Sequence, residues 1–182
     1  MRIGLYGGTF DPIHNGHLHV ITQLFQRSIV DHLLVVPAGQ PRLRDNDPQA
    51  SGSDRRAMCQ LAINDLPPEI RSHVEVNPIE ILRMGPSYTI DTVEAVKQAF
   101  PDDEILLIIG TDAFAKIDQW HRIDELRKLV TFEVIERPGY LGHGGRDIDA
   151  IDVSATQVRS HTSDLIPPAV SQYIKEHNLY VS

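Results

Sequence analysis

The chain has 182 residues, of which 41% are hydrophobic and 23% charged, as expected for one globular domain with a buried core. Its formal charge of −8 argues against a nucleic-acid surface, because such surfaces carry basic residues that neutralise phosphates. No run approaches the roughly 18 apolar residues of a membrane-spanning helix, and no charged-then-apolar leader is present. We therefore expect a cytoplasmic protein that binds a small ligand, without a nucleic-acid or membrane partner. The single cysteine, Cys59, allows no internal disulfide and is expected on the buried side of a helix.

Strands and helices alternate in the predicted element order. Short β-prone runs predict six strands, at 2–6, 32–37, 74–79, 104–110, 131–137 and 149–153. Apolar residues at helical spacing predict helices at about 15–28, 53–66, 89–100, 112–129 in two pieces, 154–161 and 167–177. The runs at 32–37 and 104–110 are apolar throughout, as in strands that are covered on both faces. The alternation predicts the α/β class, with a doubly wound parallel sheet in a single domain spanning residues 1–182.

Two segments break this alternation. Residues 38–53 combine proline, glycine and polar residues, and residues 138–146 contain four glycines. Long irregular segments in a compact domain are usually functional, so both predict mobile loops over a binding site.

The stretch "GGTFDPIHNGH" joins the first predicted strand to the first predicted helix. In an open α/β sheet such a turn lies at the carboxyl end of the strand, where ligands normally bind. Gly7 and Gly8 leave room for a ligand to reach backbone N–H groups. His14 and His17 are three residues apart, so they project to one side if His14 lies in the first helical turn. Two imidazoles and the positive end of a helix would suit phosphate groups.

Gly16 lies between these histidines and leaves the helix surface bare, so that a flat ring could lie against it. Plainer interpretations remain open at this point. The glycines could serve only the turn, with the histidines on the surface, or the pair could bind zinc, although two histidines alone do not make a zinc site.

The stretch "DVSATQVRS" (152–160) has the pattern of a second phosphate site. Ser154 is a candidate N-cap, which leaves N–H groups facing outward at the start of the helix. Thr156 and Arg159 are one turn apart and would place a hydroxyl and a guanidinium on the same side. Taken alone, without the other motifs, the stretch would be interpreted as an ordinary capped helix.

Five motifs together resemble one enzyme family. The first, "GGTFDPIHNGH", is similar to the H-x-G-H signature of the nucleotidylyltransferase superfamily. The others follow in the order of the bacterial nicotinate-nucleotide adenylyltransferases, as "GPSYTIDT" (85–92), "IIGTDAF" followed by "QWH" (108–121), "VIERPGY" (134–140) and "DVSATQVRS" (152–160). The resemblance covers residues 1 to about 161, and "SYTIDT" with "RPGY" points to the nicotinate branch.

This resemblance implies a Rossmann-like fold and adenylyl transfer from ATP to nicotinate mononucleotide, with Mg²⁺ bound through the ATP rather than by a protein metal site. It assigns His14 to the α-phosphate and His17 to the leaving phosphates, and both imidazoles are expected to have a raised pKa beside these charges. The implied ATP site comprises Gly7, Gly8, Thr9, Phe10, His14, Gly16, His17, Gly110, Asp112, Ser154, Thr156 and Arg159.

The resemblance also implies an acceptor site, formed by Arg44, Tyr88, Thr89, Trp120 and Arg137. Plainer roles stay open for some of these residues. Trp120 could close the edge of the core, and Arg137 could be a surface arginine. On the ATP side, Asp112 could simply cap the next helix.

The sequence departs from the family pattern in two places. Where the family usually has Pro-Pro-His-Lys, this chain has Arg42, Leu43 and Arg44 in place of the second proline, the histidine and the lysine. Ala155 stands where the family usually has a second serine. Leu43 cannot donate to phosphate, so these departures bear on the turnover rate more than on the class of ligand. Two alternative functions stay open beside the resemblance. These are a sister transferase for pantetheine phosphate or cytidylyl transfer, and a nucleotide-binding regulatory module. A homo-oligomer is also left open.

Overall fold

Parallel strands form the centre of the computed structural model, which describes residues 1–39, 47–139 and 144–181. The strands are β1 (Arg2–Gly8), β2 (His32–Pro37), β3 (Val74–Val76), β4 (Glu104–Gly110) and β5 (Thr131–Ile135). The helices are α1 (Asn15–Gln26), α2 (Gly52–Asn64), α3 (Pro68–Arg71), α4 (Ile79–Leu82), α5 (Thr89–Ala99), α6 (Thr111–Phe114), α7 (Ile123–Leu129), α8 (Ala155–Arg159) and α9 (Pro168–Glu176). A 3₁₀ turn, Ile117–Gln119, lies between α6 and α7.

The strands are all parallel and lie in the order β3-β2-β1-β4-β5. Leu5 of β1 is paired with Leu34 of β2 on one side and with Leu107 of β4 on the other. The chain builds outward from β1 to β3, then returns to the other side of β1 for β4 and β5. This reversal beside β1 confirms the doubly wound sheet and marks the crevice in which ligands bind in such folds.

Helices cover both faces of the sheet, as the continuous apolar runs of β2 and β4 predict. Leu33 and Val35 of β2 pack into the core formed with α1, α2 and α9, whereas Leu34 and Val36 pack into the core formed with α5 and α7. Successive side chains of a strand point to opposite faces, so both faces must be apolar. Cys59 is fully buried in the first core, and this burial raises the pKa of its thiol, which confirms the structural interpretation.

The sixth predicted strand, at 149–153, is wrong. Asp149 has a φ of 53°, in the left-handed region, so the backbone cannot continue as an extended strand through it. The segment 147–154 is irregular. Just before it, Arg146 forms an isolated bridge to Ile135 of β5. The buried side chains of Ile148 and Val153 explain the apolar pattern without a strand.

The two predicted loops lie partly outside the described residues, which omit 40–46 and 140–143, so their mobility stays a prediction. The described end of the first loop runs into α2, whose N-cap Ser51 accepts a hydrogen bond from the Asp54 N–H. Within the described ranges, no helix is long and apolar enough to cross a membrane.

Candidate active site

A cavity of about 440 Å³ opens at the carboxyl ends of β1, β4 and β5, beside the reversal in strand order. Fifteen of the predicted site residues line it: Gly7, Gly8, Thr9, Phe10, His14, Gly16, His17, Thr89, Gly110, Asp112, Trp120, Arg137, Ser154, Thr156 and Arg159. Among the described residues, Tyr88 is the predicted site residue that does not line this cavity. Arg44 lies outside the described residues. The fold therefore gathers motifs from the whole length of the chain into one place.

The turn after β1 is built around Phe10, which has a φ of 50° and is almost fully buried. Its ring meets the rings of Tyr6 and His17 edge-on, with centroids 5.6 and 4.9 Å apart. A Cβ at Gly8 would lie only 2.9 Å from Cζ of Phe10, so this glycine makes room for the phenylalanine ring. At Gly7, by contrast, the nearest atom to a Cβ would be 4.0 Å away, so there the missing side chain leaves open space.

His14 and His17 face the same side, as their spacing predicts. His14 is the N-cap of α1, and its ring stacks on that of His17 with centroids 3.7 Å apart. The His14 backbone N–H donates to Nδ1 of His17 over 3.1 Å. Because Nδ1 accepts this bond, the proton of the neutral His17 ring lies on Nε2, which makes Nε2 a hydrogen-bond donor.

His14 is only 3% exposed, and among the described residues its Nδ1 has no hydrogen-bond partner. Burial, together with the positive charge of Arg137, lowers the pKa of His14 to about 4. The expectation of a raised pKa applies to the histidines beside bound phosphates, so it stays a prediction, and the lowered pKa of His14 describes the protein without a bound anion. A neutral His14 faces the cavity until a negative charge enters it.

Position 16 requires a glycine because two side chains occupy the space that a Cβ atom would fill. A Cβ at this position would lie 2.8 Å from Cγ1 of Val153 and 3.0 Å from Nδ1 of His14. The predicted bare helix surface is thus covered by these two side chains of the chain itself. Gly16 still contributes to the cavity wall.

The start of α8 forms a further part of the cavity wall. Ser154 is its N-cap and accepts a hydrogen bond from the Gln157 N–H, which confirms the predicted cap. Nη2 of Arg159 donates to Oγ1 of Thr156 over 3.3 Å, so these two side chains do share one side. Both line the cavity, together with Ala155.

Asp11 is a cavity residue that sequence reasoning missed. Its carboxylate is 4% exposed and accepts hydrogen bonds from the N–H groups of Gln49 and Ala50 and from the hydroxyl of Tyr180, over 2.8, 3.0 and 2.7 Å. Its backbone carbonyl accepts from Nη1 of Arg159 over 2.7 Å. These partners lie 38 to 169 residues away in sequence, so the only signal was an acidic residue inside the first motif.

Arg55, on α2, was missed for the same reason. It is 3% exposed, and its Nη1 donates to the carbonyl oxygens of Thr9 and Ala38 over 2.8 and 2.7 Å. Burial lowers the pKa of this guanidinium. Arg55 therefore ties the backbone after β1 to the backbone after β2.

Asp112 and Arg137 face each other at the ends of β4 and β5, with 3.6 Å between Oδ2 and Nη1. The N-cap of α6 is Gly110, so the alternative in which Asp112 caps this helix is wrong. A Cβ at Gly110 would lie 2.6 Å from both Cδ of Arg137 and Oδ1 of Asp112. Arg137 is half-exposed on the cavity wall, as a cation that receives an anionic ligand would be.

Residues from α4, from the start of α5 and from the end of the 3₁₀ turn complete the surroundings of the cavity. Trp120 is partly buried, and it both packs on the second core and lines the cavity. It therefore lies at the edge of the core, and its stacking on an acceptor ring stays a prediction. Tyr88 is the N-cap of α5 and stacks on His121, with ring centroids 4.2 Å apart. Glu80, which was not predicted, also lines the cavity and accepts from Oγ1 of Thr92 over 2.9 Å, and burial raises the pKa of its carboxyl.

Comparison with known proteins decides the family. Residues 5–162 match the model of the cytidylyltransferase-like family. The chain is 34% identical to the nicotinate-nucleotide adenylyltransferase of Bacillus subtilis, with 100% of this chain and 99% of that protein covered. It is 39% identical, at the same coverage, to a Bacillus pumilus protein named "probable nicotinate-nucleotide adenylyltransferase". The chain belongs to the nicotinate-nucleotide adenylyltransferase family.

A solved structure supports the fold of this family member. The nicotinic acid mononucleotide adenylyltransferase of Plasmodium falciparum, complexed with NaAD, superposes with a TM-score of 0.77. The two chains are 23% identical, and the match covers 98% of this chain and 97% of that one. The likeness agrees with the Rossmann-like, doubly wound sheet described above.

Proposed function

We propose that this chain transfers the adenylyl group of ATP to nicotinate mononucleotide, giving nicotinate adenine dinucleotide and pyrophosphate in NAD biosynthesis. The observation that carries the proposal is the single cavity that joins the two histidines of the first motif to Arg159 and Arg137. The full-length similarity to nicotinate-nucleotide adenylyltransferases supports the same reaction.

In this reaction, a phosphate oxygen of the acceptor attacks the α-phosphorus of ATP while the bond from that phosphorus to the bridging oxygen of pyrophosphate breaks. Such a transfer needs positioning and compensation of charge more than covalent catalysis by the protein. We assign Nε2–H of His17 and the side chains of Thr156 and Arg159 to the triphosphate. His14 lies beside His17, and the negative charge of the nucleotide would favour its protonated form as a further donor.

We assign Gly7 to Phe10, Gly110 and Asp112 to the ATP side as well, and Thr89, Trp120 and Arg137 to the acceptor. Arg137 supplies a cation for the acceptor phosphate, and Trp120 offers a partly exposed indole on which a pyridine ring can stack. Arg44 remains a proposed acceptor residue on sequence resemblance alone. Tyr88 has an indirect role in this scheme, because its ring stacks on His121, the residue that follows Trp120.

Mg²⁺ fits this cavity as an ion carried by the nucleotide. Within the described residues, no group of three or more histidine, cysteine, aspartate or glutamate side chains is placed to hold a metal. The carboxylate of Asp11 is already engaged by backbone N–H groups and a tyrosine hydroxyl. When bound, Mg²⁺ would neutralise charge on the triphosphate oxygens, with phosphates and water as its ligands.

We also propose a single domain over residues 1–182, working in the cytoplasm on small nucleotides, without a nucleic-acid or membrane partner. Its molecular mass in solution, measured by light scattering, would show whether it forms a homo-oligomer.

Release of pyrophosphate tests the proposed function. The purified protein is incubated with Mg-ATP and one of three acceptors, which are nicotinate mononucleotide, its amide and pantetheine phosphate. We expect pyrophosphate release to depend on an acceptor and to be fastest with nicotinate mononucleotide. Release with pantetheine phosphate alone would favour the sister transferase, and ATP binding without release for any acceptor would favour the regulatory module.

A further inference from the structure

Asp11 connects the cavity to a part of the chain that lies outside every motif discussed above. Tyr180 follows α9, and its hydroxyl donates to Oδ1 of Asp11 over 2.7 Å. The Ala50 N–H donates to the same oxygen, and the Gln49 N–H donates to Oδ2. Three donors from two distant segments therefore fix the orientation of this buried carboxylate.

The backbone after α9 is folded so that Tyr180 reaches this position. The Leu179 N–H donates to the carbonyl of Ile174 over 3.0 Å, which reverses the chain at the end of the helix. Asn178 and Tyr180 have φ values of 51° and 57°, in the left-handed region. Asparagine adopts this conformation readily, whereas a bulky residue such as tyrosine adopts it only where its surroundings hold it. The tyrosine ring packs against the first core.

Asp11 in turn holds Arg159. Nη1 of Arg159 lies 2.7 Å from the Asp11 carbonyl oxygen, to which it donates, and 3.9 Å from Oδ2 of the Asp11 carboxylate. If Oδ1 lost the Tyr180 donor, one backbone N–H would remain on that oxygen. The carboxylate could then turn toward the guanidinium and draw it into a closer ion pair.

We propose that Tyr180 is a positioning residue, which acts through Asp11 to hold Arg159 in the orientation that receives the triphosphate of ATP. This inference rests on the proposed function for the identity of the nucleotide. The Tyr180 hydroxyl remains protonated as a donor, because burial and the hydrogen bond to Asp11 raise the pKa of Tyr180. The segment after α9 thereby contributes to nucleotide binding without touching the nucleotide.

Tyr180→Phe removes only the hydroxyl, and Tyr173→Phe is a matched control. Tyr173 lies on α9, and its hydroxyl donates to Oδ1 of Asp54, on α2, over 2.9 Å. Neither Tyr173 nor Asp54 lines the cavity. Both variants lose one hydrogen bond from a tyrosine to a carboxylate, and Tyr180→Phe should cost more stability because the Asp11 carboxylate is the more buried. Only Tyr180→Phe should affect nucleotide binding.

The test is the dissociation constant of Mg-ATP, measured by calorimetry without an acceptor. Because it needs no turnover, failure of the proposed reaction would leave this test intact and would be seen separately, as no pyrophosphate from the wild-type protein. We expect Tyr180→Phe to weaken Mg-ATP by about tenfold, the size of one lost hydrogen bond to a charged group. In active protein the KM for ATP should rise by the same factor, with the KM for the acceptor unchanged.

The same substitution in an Arg159→Ala background separates positioning from a general loss of structure. If Tyr180 acts through Arg159, the double variant should bind Mg-ATP within about twofold of Arg159→Ala. Equal Mg-ATP affinities of Tyr180→Phe and Tyr173→Phe would overturn the proposal. A further tenfold loss of Mg-ATP affinity when Tyr180→Phe is added to Arg159→Ala would also overturn it.

Discussion

At the scale of single residues, the stacked pair of His14 and His17 is the clearest functional feature. The backbone bond from His14 to Nδ1 of His17 sets the proton of His17 on Nε2. His14 itself is buried beside it, with Nδ1 unpaired among the described residues. A buried polar group without a partner destabilises the fold. Such groups are typical of functional sites, where a bound ligand supplies the missing partner.

His14→Ala should lower kcat by about 10²–10⁴, as for the loss of a positioned donor in a transferase site. ATP binding should change much less, because in the proposed site Arg159 and Thr156 contact the triphosphate independently of His14. Steady-state kinetics at saturating acceptor would check this, with circular dichroism to confirm that the variant is folded. A variant within about threefold of wild type would remove His14 from the mechanism.

The depressed pKa of His14 also predicts how stability depends on pH. The pKa is about 4 in the folded protein and 6.5 in the unfolded chain, so the unfolded chain binds more protons between these values. The free energy of unfolding should therefore fall as the pH falls from 6.5 to 4, by up to about 3 kcal/mol from this group.

Urea denaturation of wild type and His14→Gln at several pH values, without nucleotide, would measure this. The difference in free energy of unfolding between wild type and His14→Gln should be constant above pH 7. Toward pH 4 this difference should shrink, or the variant should become the more stable protein. Parallel curves over the whole range would show that His14 is not held neutral by burial.

Gly16→Ala tests the close packing at the start of α1. The added methyl group would meet Val153 and His14 at 3.0 Å or less, and overpacking of this kind costs about 1–3 kcal/mol. Gly7→Ala is the matched control, since 4.0 Å of clear space surrounds its Cβ position. Thermal unfolding should show a lower Tm for the first variant and a nearly unchanged Tm for the second, whereas equal losses would contradict the packing described.

At the scale of elements, we propose that the short helix α8 supplies the second phosphate contact. Arg159→Ala should weaken Mg-ATP by roughly 1.5–3 kcal/mol, because it removes a charge-assisted donor. The KM for ATP should rise and the KM for nicotinate mononucleotide should stay near that of wild type. If the rise fell on the acceptor instead, the division of the cavity into an ATP side and an acceptor side would be wrong.

The elements also show what sequence pattern can and cannot predict. β2 and β4 were predicted with their observed bounds, because strands buried on both faces leave an uninterrupted apolar run. The prediction of a strand at 149–153 was wrong because an irregular backbone can also bury apolar side chains, and because Asp149 breaks the extended conformation. β3 was predicted to end at 79 but ends at Val76. The Asn77 side chain accepts a hydrogen bond from the Ile79 N–H, and the single turn of α4 begins there. One turn is too short to give a periodic sequence pattern, so α4 was not predicted.

At the scale of the whole molecule, the cavity depends on how distant segments meet. The motifs predicted most of its wall because each carries its own local signature. The roles of Asp11, which lies inside the first motif, and of Arg55, which lies outside every motif, come from partners that folding brings to them, so neither role could be predicted. Glu80 was missed likewise, because α4 has no pattern that points to a site.

The division of the cavity also predicts which acceptor the chain prefers. The acid mononucleotide carries a ring carboxylate, and a site built for it offers N–H donors, which we place on the backbone near Thr89 and Trp120. These donors would lose a charged partner with the amide, and the loss of a charge-assisted hydrogen bond corresponds to roughly tenfold or more in kcat/KM.

One competition assay tests adenylyl transfer to the acid most directly. ATP labelled at the α-phosphorus is supplied with Mg²⁺ and equal concentrations of nicotinate mononucleotide and its amide, and the labelled dinucleotides are separated. The proposed function predicts label in nicotinate adenine dinucleotide at about ten times or more its level in the amide dinucleotide. Equal labelling of the two products would contradict acid specificity, and label in neither would contradict adenylyl transfer itself.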